Sequence, residues 1–141
     1  MKSLSANFAI VFLLIGFAVL GGSETSRAEW ILFDKTDDAD FYCDMEDIAR
    51  SSSGTDTVWT KQVYKKKGVE DRVGLFGKNF ENLDHSIDLV ELDCLGKLAL
   101  SLSMVYFSKN GSVLKIEEPD NRWQFITSNS IYDALYKNVC R

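Results

Sequence analysis

The chain has 141 residues, a net charge of −5 at pH 7 and a pI near 4.9. Its acidic balance argues against nucleic acid and anionic membrane as main partners. A hydrophobic fraction of 45% with 12% aromatics excludes a disordered chain, and one Pro with nine Gly excludes a collagen-like or low-complexity one. One His and three Cys leave little material for a transition-metal site, and no cofactor-binding motif is present.

Residues 1–28 read as a signal peptide. Lys2 supplies the positive start and Phe8 to Leu20 form an apolar run of 13 residues. Ser26 and Ala28 place small residues ahead of a cleavage site before Glu29, with cleavage near Gly22 or Ser23 as the alternative. The run is shorter than the roughly 20 residues that cross a bilayer, and no second one follows. The expectation is an exported protein, in the periplasm, on the cell surface or secreted. It has a single domain over 29–141 and no transmembrane segment in its mature part.

Taken in chain order, Glu29 to Phe33 (EWILF) is an apolar strand. Asp34 to Asp47 is an acidic run around a small apolar island, Phe41-Tyr42-Cys43, and reads as a solvated loop. Ser51 to Thr55 is turn material. Thr57 to Lys65 is rich in β-formers and reads as a strand closed by Lys66-Lys67-Gly68. Phe76, Phe80 and Leu83 recur at helical spacing, although Gly74 and Gly77 weaken a helix there. Ser86 to Cys94 and Lys97 to Phe107 are strands. In the second, Leu98, Leu100, Leu102, Met104 and Tyr106 alternate with polar or small residues and predict one core-facing side. Asn110-Gly111 signals a hairpin to Ser112–Glu118, which Pro119 stops. Asn110-Gly111-Ser112 also has the spacing of a glycosylation acceptor. Trp123 to Ile126 is a short strand. Ser130 and Asp133 have capping-box spacing before the stripe Ile131, Ala134, Leu135 and Val139. The sum is an α+β domain, an antiparallel sheet of about five to six strands with a C-terminal helix on one face.

Little in the chain points to catalysis. His85 is the single histidine, and no nucleophile motif accompanies it, so a surface or capping role is expected. The acidic run lacks the spacing of a calcium loop, leaving a weak divalent site as the alternative to a solvated segment. Gly74 to Lys78 lacks the spacing of a phosphate loop. Trp30, Trp59 and Trp123 are expected to pack in the core. Lys65, Lys66 and Lys67 form a basic cluster on an acidic protein. They read as a solvated hairpin end or as the contact for an anionic ligand.

Export exposes Cys43, Cys94 and Cys140 to an oxidising compartment. Three cysteines allow three single bridges. Cys94–Cys140 is favoured because a core strand and a core-facing helix end there. Closing that loop stabilises the fold by roughly 4 kcal/mol in the chain-entropy model. Cys43 then remains a free thiol, read as a small buried apolar residue, with a homodimer bridged through Cys43 as the alternative.

Several landmarks recur in a fixed order: Trp30, Phe41-Tyr42-Cys43-Asp44, Ile48-Ala49-Arg50 and Val58-Trp59-Thr60-Lys61. They continue with Glu91-Leu92-Asp93-Cys94, Lys109-Asn110-Gly111-Ser112, Pro119, Trp123 and Ile126 to Ser130, ending at Cys140. In this order the chain resembles the surface-adhesin protein E-like family of small exported bacterial proteins. The resemblance implies an antiparallel sheet under a C-terminal helix, a bridge between Cys94 and Cys140, and a non-enzymatic binding role toward a protein or extracellular-matrix ligand. A free cysteine at position 43 departs from the family pattern. The alternative function is a periplasmic structural or assembly protein that holds an envelope partner.

Overall fold

The computed structural model describes residues 27–141. The expected signal peptide falls almost wholly outside the described residues. The element order is β1 (Trp30–Lys35), β2 (Ala39–Asp44), β3 (Ala49–Arg50), β4 (Asp56–Tyr64), α1 (Lys66–Phe76), a 3-10 turn (Lys78–Asn82), β5 (Leu83–Asp93), β6 (Leu98–Ser108), β7 (Val113–Glu117), β8 (Gln124–Phe125) and α2 (Ile131–Val139). All eight strands join one antiparallel sheet in the order β1-β2-β4-β5-β6-β7. The short β3 pairs with β4, and the short β8 pairs with β6. The strand count therefore exceeds the expected five to six.

The two additional strands are β2, inside the acidic run, and the short β3 just after it. Ala39, Phe41 and Cys43 are buried at alternate positions, while Asp40 and Tyr42 between them point the other way. That period of two makes β2 a strand in spite of its carboxylates.

The second departure is α1. The chain leaves β4 at Lys65 and turns straight into a helix. Lys65 N–H bonds to Asp38 O at 2.8 Å, tying the helix start to the β1–β2 turn. Gly68 is buried against that same carbonyl, where a Cβ would stand 2.2 Å from Asp38 O, so only glycine fits. Gly77, at φ +99°, ends the helix through its N–H to Val73 O. Phe76, Phe80 and Leu83 do meet, although they lie on three successive elements. They pack with Tyr106 in a cluster that also takes Val69 and Val73.

Helix α2 covers the same side of the sheet farther along. Ser130 Oγ accepts from Asp133 N–H at 3.1 Å, and Asp133 Oδ2 accepts from Asn129 N–H at 3.0 Å, a reciprocal cap. Leu135 packs into a second cluster with Cys43, Val58, Val90, Leu92 and Ala99. The Cys94–Cys140 disulfide joins the end of β5 to the end of α2 with Cα atoms 5.6 Å apart. Tyr136 Oη donates to Cys94 O beside it. Cys43 is free and 0% exposed, so a bridge between two molecules through it would require β2 to open.

Strand β6 departs from its sequence reading. Leu89 pairs with Ser103 but Val90 with Ser101, which leaves Leu102 as a bulge. The bulge swaps the faces: Ala99 and Ser101 lie on the helix-covered side before it and Met104 and Tyr106 on that side after it, the last two against the α1 cluster, while Leu98 and Leu100 turn to the other side.

Candidate functional site

Both helices lie on one face of the sheet, and among the described residues no helix covers the other. Side chains of directly paired residues share a face, so the register defines that open face. One row runs through Leu32, Tyr42, Lys61, Ile87, Val105 and Ile116, crossing all six strands of the main path. A neighbouring row holds Val63, His85, Phe107 and Val113. On the other side of the first row Trp59 pairs with Leu89. Most of these side chains are half-buried by their lateral neighbours. The rim is open, with Ile116 67% exposed and Leu32 and Val113 exposed as well.

At the centre of this face Lys61 stands between two aromatic rings. Its Nζ lies 4.6 Å from the centroid of Trp30 and 5.3 Å from that of Tyr42, both within cation–π range. Burial lowers the Lys61 pKa, against the opposing charge of Asp84. Lys61 forms no ion pair among the described residues. His85 stacks on Phe107 with centroids 5.0 Å apart, and its Nδ1 lies 2.7 Å from Asp84 Oδ2. Trp30 and Trp59 belong to this face and Trp123 is exposed at the edge of the fold, so the expected core role of the three tryptophans does not hold.

The face under the helices is unusual in the opposite sense. Its inward positions on β4 and β5 include Thr60, Gln62, Ser86 and Asp88. A cavity of about 270 Å³ lies there between α1 and α2. Phe33, Phe41, Met104, Ile131 and Leu135 supply apolar wall, and Arg72 and Asp88 both reach it. Asp88 is 3% exposed, and Ser101 Oγ donates to its Oδ1 at 2.7 Å. Burial pushes the Asp88 carboxyl up to about 7. The Ser101 hydrogen bond opposes this, and the charge of Glu117 adds to it.

The lysine cluster is placed at the start of α1 instead of on a hairpin tip. Lys65 Nζ lies 3.1 Å from Asp40 Oδ1 and donates to Thr36 O, and Lys67 Nζ lies 2.7 Å from Asp38 Oδ1. Lys66 is exposed and forms no ion pair among the described residues. Two of the three cations thus face the chain's own acidic run. No group of three or more His, Cys, Asp or Glu side chains among the described residues is arranged to hold a metal ion. No helix among them is long and apolar enough to cross a membrane.

The sequence model of surface-adhesin protein E matches residues 30–141. The chain belongs to the surface-adhesin protein E family. No curated protein and no solved structure matches it. Membership in the family agrees with the sheet, the C-terminal helix and the terminal disulfide, and it suggests a surface adhesin-like role with a protein or extracellular ligand.

Sequence reasoning singled out Lys65 to Lys67 and did not find Lys61 or the open face. The available signal was the inverted polarity of β4 and β5. Trp59, Lys61, Val63, Ile87 and Leu89 stand on one side, and Thr60, Gln62, Ser86 and Asp88 on the other.

Proposed function

We propose that this protein is an exported, non-enzymatic binding module that holds a protein partner on its open sheet face. The observation that carries the reading is the row from Leu32 to Ile116. It presents apolar and aromatic side chains across six strands with an unpaired lysine in the middle. Large contiguous apolar patches on soluble proteins mark interaction sites, and aromatic residues dominate the energetics of such sites. Lys61 adds selection, because a partner must bring a carboxylate or another acceptor to its centre. The family assignment supports both the adhesin-like role and export. An extracellular-matrix protein is the partner class to test first. A partner in the bacterial envelope is the competing one.

The test has two parts. Purified protein is titrated against a panel of immobilised extracellular-matrix proteins. Producing cells, intact and lysed, are treated with protease. Saturable binding together with digestion on intact cells is the expected result. Protection until lysis, with no matrix protein bound, contradicts the matrix reading and directs the search to envelope proteins.

A further inference from the structure

The cavity between α1 and α2 lies on the opposite side of the sheet from the open face, and its chemistry is independent of it. Its two charged groups are only partly satisfied by the protein: Ser101 donates to Asp88, and Arg72 has the Tyr64 and Tyr106 hydroxyls as neighbours. Among the described residues Asp88 Oδ2 accepts no hydrogen bond and Asp88 forms no ion pair. Arg72 Nε is buried without a hydrogen-bond partner, while its guanidinium lies 5.4 Å from the Tyr64 ring. Both residues line the same 270 Å³ space, and they form no ion pair with each other. A buried charge without a partner is costly. Here a carboxyl and a guanidinium line one pocket whose remaining wall is mostly apolar, with Thr60, Gln62 and Tyr132 as its other polar members.

We infer that this cavity binds a small α-amino acid with an apolar side chain, taken as the zwitterion. The ammonium group pairs with Asp88 and the carboxylate with Arg72. The side chain rests on Phe33, Phe41, Met104 and Leu135. A simple amine or a simple carboxylate would leave one of the two protein charges unmatched. An inorganic ion would leave the apolar part of the wall uncovered. The volume lies just below the roughly 300–1,000 Å³ of drug-sized sites, which restricts the occupant to a small molecule. Ile131, at the first position of α2, stands in the wall.

Other groups around Asp88 do not supply its missing cation. Ser101 is neutral and Glu117 is acidic. Tyr132, from α2, has its own pKa pushed up to about 12 by burial and by the Asp88 charge, so it stays protonated. Tyr106 is likewise raised, chiefly by burial. Ionisation of Asp88 as pH rises past neutrality should therefore strengthen binding of an ammonium group.

The experiment is calorimetric titration of the purified protein with L-leucine and L-phenylalanine, and in parallel with phenethylamine and 3-phenylpropionate. The zwitterions are expected to bind at least tenfold more tightly than either half-ligand, and more tightly at pH 8 than at pH 5. Asp88→Asn and Arg72→Gln should each weaken binding tenfold or more, and Asp88→Asn should flatten the pH dependence. Ile131→Trp should fill the cavity and abolish binding while the protein keeps its melting temperature within a few degrees. It serves as the deciding variant if the charge variants do not fold. No heat at millimolar ligand overturns the assignment. So does equal binding of a half-ligand, or unchanged affinity in Ile131→Trp.

Discussion

Ser101 on β6 donates a 2.7 Å hydrogen bond to Asp88 on β5, under the helices, and among the described residues no cation pairs with the carboxylate. One hydroxyl does not offset the desolvation of a charge at 3% exposure, so the folded protein holds the proton to about pH 7 against 3.8 for a free carboxyl. The folded state binds more protons than the unfolded state between those values, so this group lowers stability as pH rises from about 4 to 7. At about 1.4 kcal/mol per pKa unit the penalty reaches order 4 kcal/mol above pH 7. Asp88→Asn should thus match the wild type near pH 4 and exceed it by a few kcal/mol at pH 8 in urea unfolding. A stability difference that does not change with pH contradicts this.

Gly68 and Gly74 sit on the same helix and should respond oppositely to alanine. A Cβ at Gly68 meets the Asp38 carbonyl at 2.2 Å, whereas one at Gly74 meets nothing within 4 Å. Gly68→Ala should cost about 1–3 kcal/mol through forced backbone movement. Gly74→Ala should gain up to about 1 kcal/mol from helix propensity. Thermal unfolding of the pair decides it, and equal shifts would remove the close approach of α1 to the β1–β2 turn.

The cysteines should separate cleanly by reactivity. Burial, and secondarily the charge of Asp44, raise the Cys43 thiol pKa, and the side chain has no solvent access. A thiol reagent should label nothing in the native oxidised protein and one site after unfolding in denaturant. Reduction of Cys94–Cys140 should lower stability by up to roughly 4 kcal/mol. Rapid native labelling of Cys43, or a disulfide-linked dimer on a non-reducing gel, contradicts the buried placement.

Much of the sheet was legible because β4, β5 and the β6–β7 hairpin carry long runs of β-formers and a clear turn. The faces were not. Reading Leu98, Leu100, Leu102, Met104 and Tyr106 as one side assumes an unbroken register, and the bulge at Leu102 invalidates that assumption halfway along. β2 was hidden because carboxylates dominate its neighbourhood, although Ala39, Phe41 and Cys43 keep the period of two. The start of α1 was hidden because Lys65 to Lys67 look like solvated turn material, and only the docking of Gly68 on Asp38 shows why a helix begins there. The disulfide was legible, since both cysteines end core elements. Lys61 and the Arg72–Asp88 cavity were not, because each joins residues far apart in the chain that form no local motif.

The most direct measurement is the affinity of face variants for the matrix protein that the wild type binds in the immobilised panel, with an off-face control. Leu32→Asp and Ile116→Asp place carboxylates at exposed positions on opposite ends of the six-strand row. Leu75→Asp makes the same change at an exposed position on α1. The two face variants are predicted to keep the wild-type fold and lose at least tenfold in affinity, while Leu75→Asp binds as the wild type. Wild-type affinity in both face variants, or an equal loss in Leu75→Asp, would contradict the open face as the binding surface.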